Sequence, residues 1–119
     1  MFDGQCGFCT RSANWVRRLD RRHRVALRPY QGHGVLTGTG LTADEAAGAV
    51  WWLGADGRRA RAAEAVGAAL SAALGTRLPL GLYRVTRPVQ ELVYAWVSAN
   101  RHRLPGVTPY CVEHPEECA

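Results

Sequence analysis

Two cysteines separated by two residues, Cys6-Gly7-Phe8-Cys9, carry the most specific chemistry in this sequence. Directly after them Phe8, Ser12, Trp15, Val16 and Leu19 recur at helical spacing, which predicts a helix from about Phe8 to Arg22. A helix N-terminus has backbone N–H groups without internal acceptors and carries partial positive charge, so a sulfur placed there gains from being a thiolate. The two-residue spacer lets the second sulfur reach the first from the next turn. Cys6 is then the expected nucleophile toward a disulfide, and Cys9 the thiol that resolves the mixed disulfide. Gly7 permits close approach of a partner chain, and Phe8 supplies an apolar surface beside the sulfur. Half of a zinc site and two incidental cysteines are the rival readings of a CxxC. The amphipathic helix at its heels, followed by strand, helix and hairpin signals, favours redox chemistry.

Other residues have a chemical and a structural reading. Asp3 is a candidate base or tuning carboxylate for a thiol, and equally a turn residue before Gly4. Arg11 could support a thiolate, although surface charge is the simpler reading. Cys111, His114 and Cys118 form C-x2-H-x3-C. The leading expectation for Cys111 and Cys118 is two unpaired tail cysteines. The alternatives are a second disulfide or thiol relay between them, and a zinc site. With Cys6 and Cys9 these three residues would make a Cys/His donor set of the kind zinc accepts, in a non-enzymatic binding or interaction module. That requires the tail to fold back to the first helix. His23, His33 and His102 show no paired spacing and are expected at the surface. Tyr94 and Trp96 are expected to pack the last helix. Asn100, Arg101 and Arg103 read first as a structural cap at its C-terminal end, where carbonyls are free and cations suit the helix dipole, with a binding role as the alternative.

The chain of 119 residues fits one domain. Its 47% hydrophobic content supports a core, and its 21% charged content is ordinary. No apolar run approaches the roughly 18 residues of a membrane span. The opening Met1-Phe2-Asp3-Gly4 has neither the basic nor the apolar region of a signal peptide. A reducing, cytoplasmic compartment follows, where paired cysteines point to redox or metal chemistry rather than a structural disulfide frame. The net charge of +5 comes entirely from arginine, with no lysine, and seven arginines lie between Arg11 and Arg28. Few aromatics interleave with them and no nucleic-acid motif accompanies them. They read as a solvated face of a protein from a GC-rich bacterial genome, not as a nucleic-acid surface.

The elements that would hold the dithiol follow in order. Val25 to Tyr30 is β-prone, with Pro29 marking an end or an edge. Gln31 to Leu41, rich in glycine, reads as a loop. Thr42 and Glu45 form a capping box for a short helix ending by Gly48. Ala49 to Leu53 suits a strand buried on both faces, Ala55-Asp56-Gly57 a turn, and Arg58 to Arg61 the return strand. Ala62, Ala65, Val66, Ala69, Leu70, Ala73 and Leu74 form one helical stripe that Gly75 terminates. Leu78 to Arg84 is ambiguous. A last helix runs from about Pro88 to Arg101, with Val89, Leu92, Val93, Trp96 and Val97 expected on its buried face. Residues 1–106 form the expected domain, and 107–119 an irregular tail.

Asp3-Gly4-Gln5-Cys6-Gly7-Phe8-Cys9 resembles the D-x-x-C-x-x-C signature of the DCC family of thiol-disulfide oxidoreductases. The likeness continues through Ala55-Asp56-Gly57-Arg58 with Ala63-Glu64-Ala65-Val66. It ends in Val93-Tyr94-Ala95-Trp96-Val97 with Asn100-Arg101-His102-Arg103-Leu104. It therefore spans roughly residues 2–106. The resemblance implies a thioredoxin-like α/β fold, with a small central sheet flanked by helices. It makes Cys6 and Cys9 the redox pair, and Asp3 the third signature residue. It implies exchange with a protein or small-molecule thiol or disulfide, and no bound organic cofactor. Two departures stand out. The apolar residues that form the family's opening strand are missing before Asp3, which suggests a chain truncated by a misplaced start. An in-frame apolar segment in the upstream DNA is the test of that idea. Thioredoxins also place a cis-proline before the third strand, where this chain has Gly48-Ala49-Val50.

Overall fold

The first helix starts where it does because a cysteine caps it. In the structure, a computed structural model that describes residues 1–118, Cys6 is extended (φ −105°, ψ 120°) and its Sγ accepts the Cys9 N–H at 3.1 Å. Helix α1 then runs over Gly7–Leu19. It stops short of the expected Arg22 because Asp20 turns the chain. The buried Asp20 carboxylate accepts the N–H groups of Arg24 and Val25, both at 2.8 Å. Thr10 and Ala13 are the buried residues of α1, and all seven arginines from Arg11 to Arg28 are exposed.

The glycine-rich stretch expected as a loop contains a short helix, α2 (Val35–Thr39). Its glycines are its ends: Gly34 and Gly40 both take φ 74°, a left-handed conformation that glycine adopts without strain. Helix α3 (Ala43–Gly48) opens on the expected capping box, with Glu45 N–H donating to Thr42 Oγ1 at 3.1 Å and Thr42 N–H to Glu45 Oε1 at 3.2 Å. Strands β1 (Trp51–Leu53) and β2 (Arg59–Arg61) form an antiparallel hairpin with Trp52 opposite Ala60.

Met1 and Phe2 occupy the position in which an opening strand was expected to be lacking. Phe2 pairs in parallel with Pro29, through Phe2 N–H to the Arg28 carbonyl (3.0 Å) and Tyr30 N–H to the Phe2 carbonyl (2.9 Å). On the other side the Trp51 N–H donates to the Met1 carbonyl at 3.2 Å. These two residues thus bridge the 28–30 stretch and the hairpin. A two-residue bridge is too short to make Val25 to Tyr30 a regular strand, so the named sheet has only β1 and β2. For the same reason the hairpin is not buried on both faces: Trp51 and Trp52 are half-buried and Leu53 is exposed.

Helix α4 (Ala62–Leu74) packs on the hairpin and on α1. It ends at Gly75, with φ 69°, as the sequence predicts. Its buried residues are Ala63, Ala65, Gly67 and Ala73, so a small-residue surface allows the close approach. The ambiguous stretch is helix α5 (Leu78–Val85), and α6 follows over Arg87–Ala99. The expected inner face of α6 is corrected by the structure. Val89, Leu92, Val93 and Trp96 point outward, with Leu92 73% and Trp96 61% exposed. The inward side carries Gln90, Glu91, Tyr94, Val97 and Ser98. Polar anchors set this orientation: Glu91 accepts the Tyr83 hydroxyl (2.9 Å), and the Tyr94 hydroxyl accepts the Val50 N–H (2.9 Å).

The tail, expected to be irregular, carries two short turns of helix among its described residues. These are α7 (Tyr110–Glu113) and a 3-10 turn (Pro115–Glu117). Among the described residues no helix is long and apolar enough to cross a membrane, and no peptide bond is cis.

Candidate active site

Cys6 and Cys9 are the free cysteines, and they meet through the capping bond described above. The first turn of α1 is further fixed by Thr10, whose hydroxyl donates to the Cys6 carbonyl at 2.9 Å. Cys6 is buried, at 2% exposure, and Cys9 is half-buried. The Cys9 thiol is pushed up to about 12. Burial is the largest cause, then the hydrogen bond to Cys6 and the charge on Cys6; the Arg101 guanidinium opposes them, and Asp3 adds to them. The two sulfurs are therefore unequal. While Cys6 is free, Cys9 holds its proton. Once Cys6 is tied up in a disulfide, two of the causes that hold that proton vanish.

Asp3 lies in the turn that leads into α1, and it is more than a turn residue. Its Oδ1 accepts the Gln5 N–H (2.9 Å) and the Gln31 Nε2–H (2.7 Å), and its Oδ2 is 3.4 Å from Arg101 Nη2. Both members of this ion pair are largely shielded from solvent. Arg101 is the residue that sequence reasoning assigned to a helix end. Asn100 does take the cap, donating to the Trp96 carbonyl at 2.8 Å, and so leaves Arg101 free to reach back across the fold to Asp3. The signal for Arg101 lay in the resemblance, which quoted it beside Asn100. No local spacing could reveal a contact between the two ends of a domain.

The two sides of the dithiol differ. On the Cys9 side a cavity of about 1170 Å³ opens between α1, the hairpin and α6, lined among others by Phe8, Cys9, Trp15, Trp52, Tyr94 and Arg101. On the Cys6 side the tail lies over the motif. Val107 N–H donates to the Gly7 carbonyl (3.2 Å), Cys111 N–H to the Gly4 carbonyl (2.9 Å), and Tyr110 N–H to Thr10 Oγ1 (3.0 Å). Arg11 reaches the Pro105 carbonyl at 3.4 Å, so it clasps the tail instead of addressing a sulfur. Gly7 and Gly106 permit this contact: a Cβ on Gly7 would lie 2.5 Å from the Val107 carbonyl oxygen.

Cys111 and Cys118 are joined in a disulfide with Cα atoms 5.7 Å apart, which corrects the expectation that both are unpaired. The tail does fold back to the first helix, but the five-residue zinc set does not assemble. Two of its sulfurs are bonded to each other, and His114 gathers with Glu116 and Glu117 at the surface. Tyr110 stacks at a tilt on His114 (4.4 Å) and meets Phe2 edge-on (5.8 Å), which anchors the disulfide loop to the Met1–Phe2 bridge. His23, His33 and His102 are exposed, as expected.

A helix headed by a free dithiol, with a small antiparallel sheet and helices around it, is compatible with the thioredoxin-like α/β class. The model of one family, the DCC1-like thiol-disulfide oxidoreductases, matches residues 1–107, and the chain belongs to that family. No curated protein and no solved structure matches the chain.

Proposed function

We propose that this protein exchanges disulfides with a protein or small-molecule thiol through Cys6 and Cys9, without a bound organic cofactor, in the cytoplasm of a bacterium. Residues 1–106 are the working domain and 107–119 an appended tail. Cys6 is the nucleophile, Cys9 resolves the mixed disulfide, and Asp3 with Arg101 sets the electrostatic surroundings of Cys9. The observation that carries this reading is the capping bond: the Cys6 sulfur sits where helix N–H groups favour negative charge, and it accepts the N–H of its own resolving cysteine. The division of labour follows from Cys9 holding its proton until Cys6 is engaged.

Single-cysteine variants test it against oxidised glutathione. Cys9→Ser should accumulate a stable glutathione adduct on Cys6, because the resolving thiol is gone. Cys6→Ser should form its adduct on Cys9 more slowly, because burial still disfavours that thiolate. Faster adduct formation on Cys9 would reverse the roles.

A further inference from the structure

The tail brings a second pair of cysteines against the turn that leads into the first. Cys111 is buried, and a Cβ built on Gly4 would stand 2.6 Å from its Sγ, so that sulfur rests on the backbone of Gly4, two residues before Cys6. The same turn is held to Gly4 by the Cys111 N–H and to Thr10, one residue after Cys9, by the Tyr110 N–H. Cys111 is thus pinned from both ends of the CxxC. Cys118 lies farther out, half-buried, in a bridge to Gly32. Cys6, at 2% exposure, opens to an external disulfide only as the tail lifts, and that tail carries a disulfide of its own.

We infer that Cys111–Cys118 is a second redox centre, which exchanges electrons with the Cys6–Cys9 dithiol within one chain. The inference rests on Cys6 and Cys9 being the redox pair. In the first step the Cys6 thiolate attacks Cys111 Sγ. A Cys6–Cys111 bond forms, the Cys111–Cys118 bond breaks, and its electron pair leaves on Cys118, which takes up a proton. In the second step Cys9 gives up its proton and attacks Cys6. A Cys6–Cys9 bond forms, and Cys111 leaves with the electron pair and is protonated. Two thiols are oxidised and one disulfide is reduced, so the exchange balances without an outside oxidant or reductant. Disulfides in reducing compartments are chiefly transient and catalytic, which agrees with a redox role for this pair.

Trypsin makes the test direct, because cleavage after Arg11 and Arg103 puts Cys6 and Cys111 on separate peptides, 1–11 and 104–119. In Cys9→Ser/Cys118→Ser, diamide should join these peptides through Cys6 and Cys111. The rate should be independent of protein concentration and about tenfold or more above that of Cys9→Ser/Cys111→Ser, where only the outer sulfur remains. Equal rates in the two variants, or a rate that grows with concentration, overturn the inference. Wild-type protein carrying one disulfide per chain provides the second measurement. Acid quenching and mapping at successive times should find that disulfide moving between Cys111–Cys118 and Cys6–Cys9. A disulfide that stays where it first formed overturns the relay. If Cys6–Cys9 exchanges with glutathione while the peptides never join, the relay alone is wrong. If Cys6–Cys9 never forms a disulfide with glutathione, the parent proposal fails with it.

Discussion

Replacing Gly106 with alanine should lift the tail from the dithiol. A Cβ at this position would stand 2.5 Å from the Phe8 nitrogen and 2.8 Å from the Gly7 oxygen. Both are backbone atoms and cannot rotate away. Comfortable non-bonded separations begin near roughly 3.5 Å, so the two segments must part by ~1 Å. The Val107–Gly7 hydrogen bond, already 3.2 Å long, would then stretch beyond useful length. Overpacking of this kind costs about 1–3 kcal/mol. At 1.4 kcal/mol per factor of ten, the population with the tail undocked should rise roughly 5- to 100-fold. Because Cys6 is closed in by this segment, its rate of reaction with an external disulfide should rise by a similar factor. The assay is adduct formation by dithiobis(nitrobenzoate) on Cys6 in the Cys9→Ser background, followed by mass spectrometry of the 1–11 peptide. Far-UV circular dichroism establishes that the remainder stays folded. A rate unchanged in a folded Gly106→Ala protein would refute the claim that the tail controls access to Cys6.

Cys6→Ala should lower the Cys9 pKa from about 12 while leaving it above an ordinary thiol, since burial remains when the Cys6 hydrogen bond and charge are removed. Alkylation of Cys9 at pH 8 should then quicken at least about tenfold, and an unchanged rate would show that Cys6 does not hold that proton. The Asp20 carboxyl is held below the usual carboxylate range, chiefly by the Val25 N–H and also by that of Arg24. Its stabilisation is therefore complete above the ordinary value of about 4 and is lost as pH falls through the lower folded value. Asp20→Asn should weaken the fold near neutrality and flatten its acid unfolding limb, as read by denaturant titrations at several pH values. Gly67 sits inside α4, where a Cβ would make ordinary contacts of 3.5 Å with Tyr83 Cβ and 3.6 Å with the Pro79 oxygen. Gly67→Ala should therefore stabilise by about 0.5–1 kcal/mol and raise the Tm.

The parts that could be read from the sequence are those fixed by local chemistry. The Thr42–Glu45 capping box, the Asp56-Gly57 turn and the Gly75 helix stop each depend on a few adjacent residues, and each stands where expected. The CxxC at a helix head is local in the same sense. The missed features depend on contacts between distant segments. Glycine in residues 31–41 argued for a loop, yet two glycines cap a helix there. The apolar stripe of α6 argued for burial, but Glu91 and Tyr94 turn the other side inward. Arg101 looked like a C-terminal cation because its partner, Asp3, is almost a whole domain away in sequence. The tail offered two cysteines and a histidine at suggestive spacing. Only the fold shows that Gly4, Gly7 and Thr10 receive it, and that its cysteines join each other and not a zinc ion's donor set.

The central claim is that Cys6 and Cys9 form one two-electron redox centre, and both lie on the tryptic peptide 1–11. Equilibrating the wild-type protein in glutathione buffers of graded potential, quenching with acid, alkylating and weighing that peptide counts its free thiols directly. The account predicts one transition, from the doubly alkylated peptide to an unalkylated peptide carrying an internal disulfide. A 1–11 peptide that stays doubly alkylated across the full range, or gains only glutathione adducts, would contradict it.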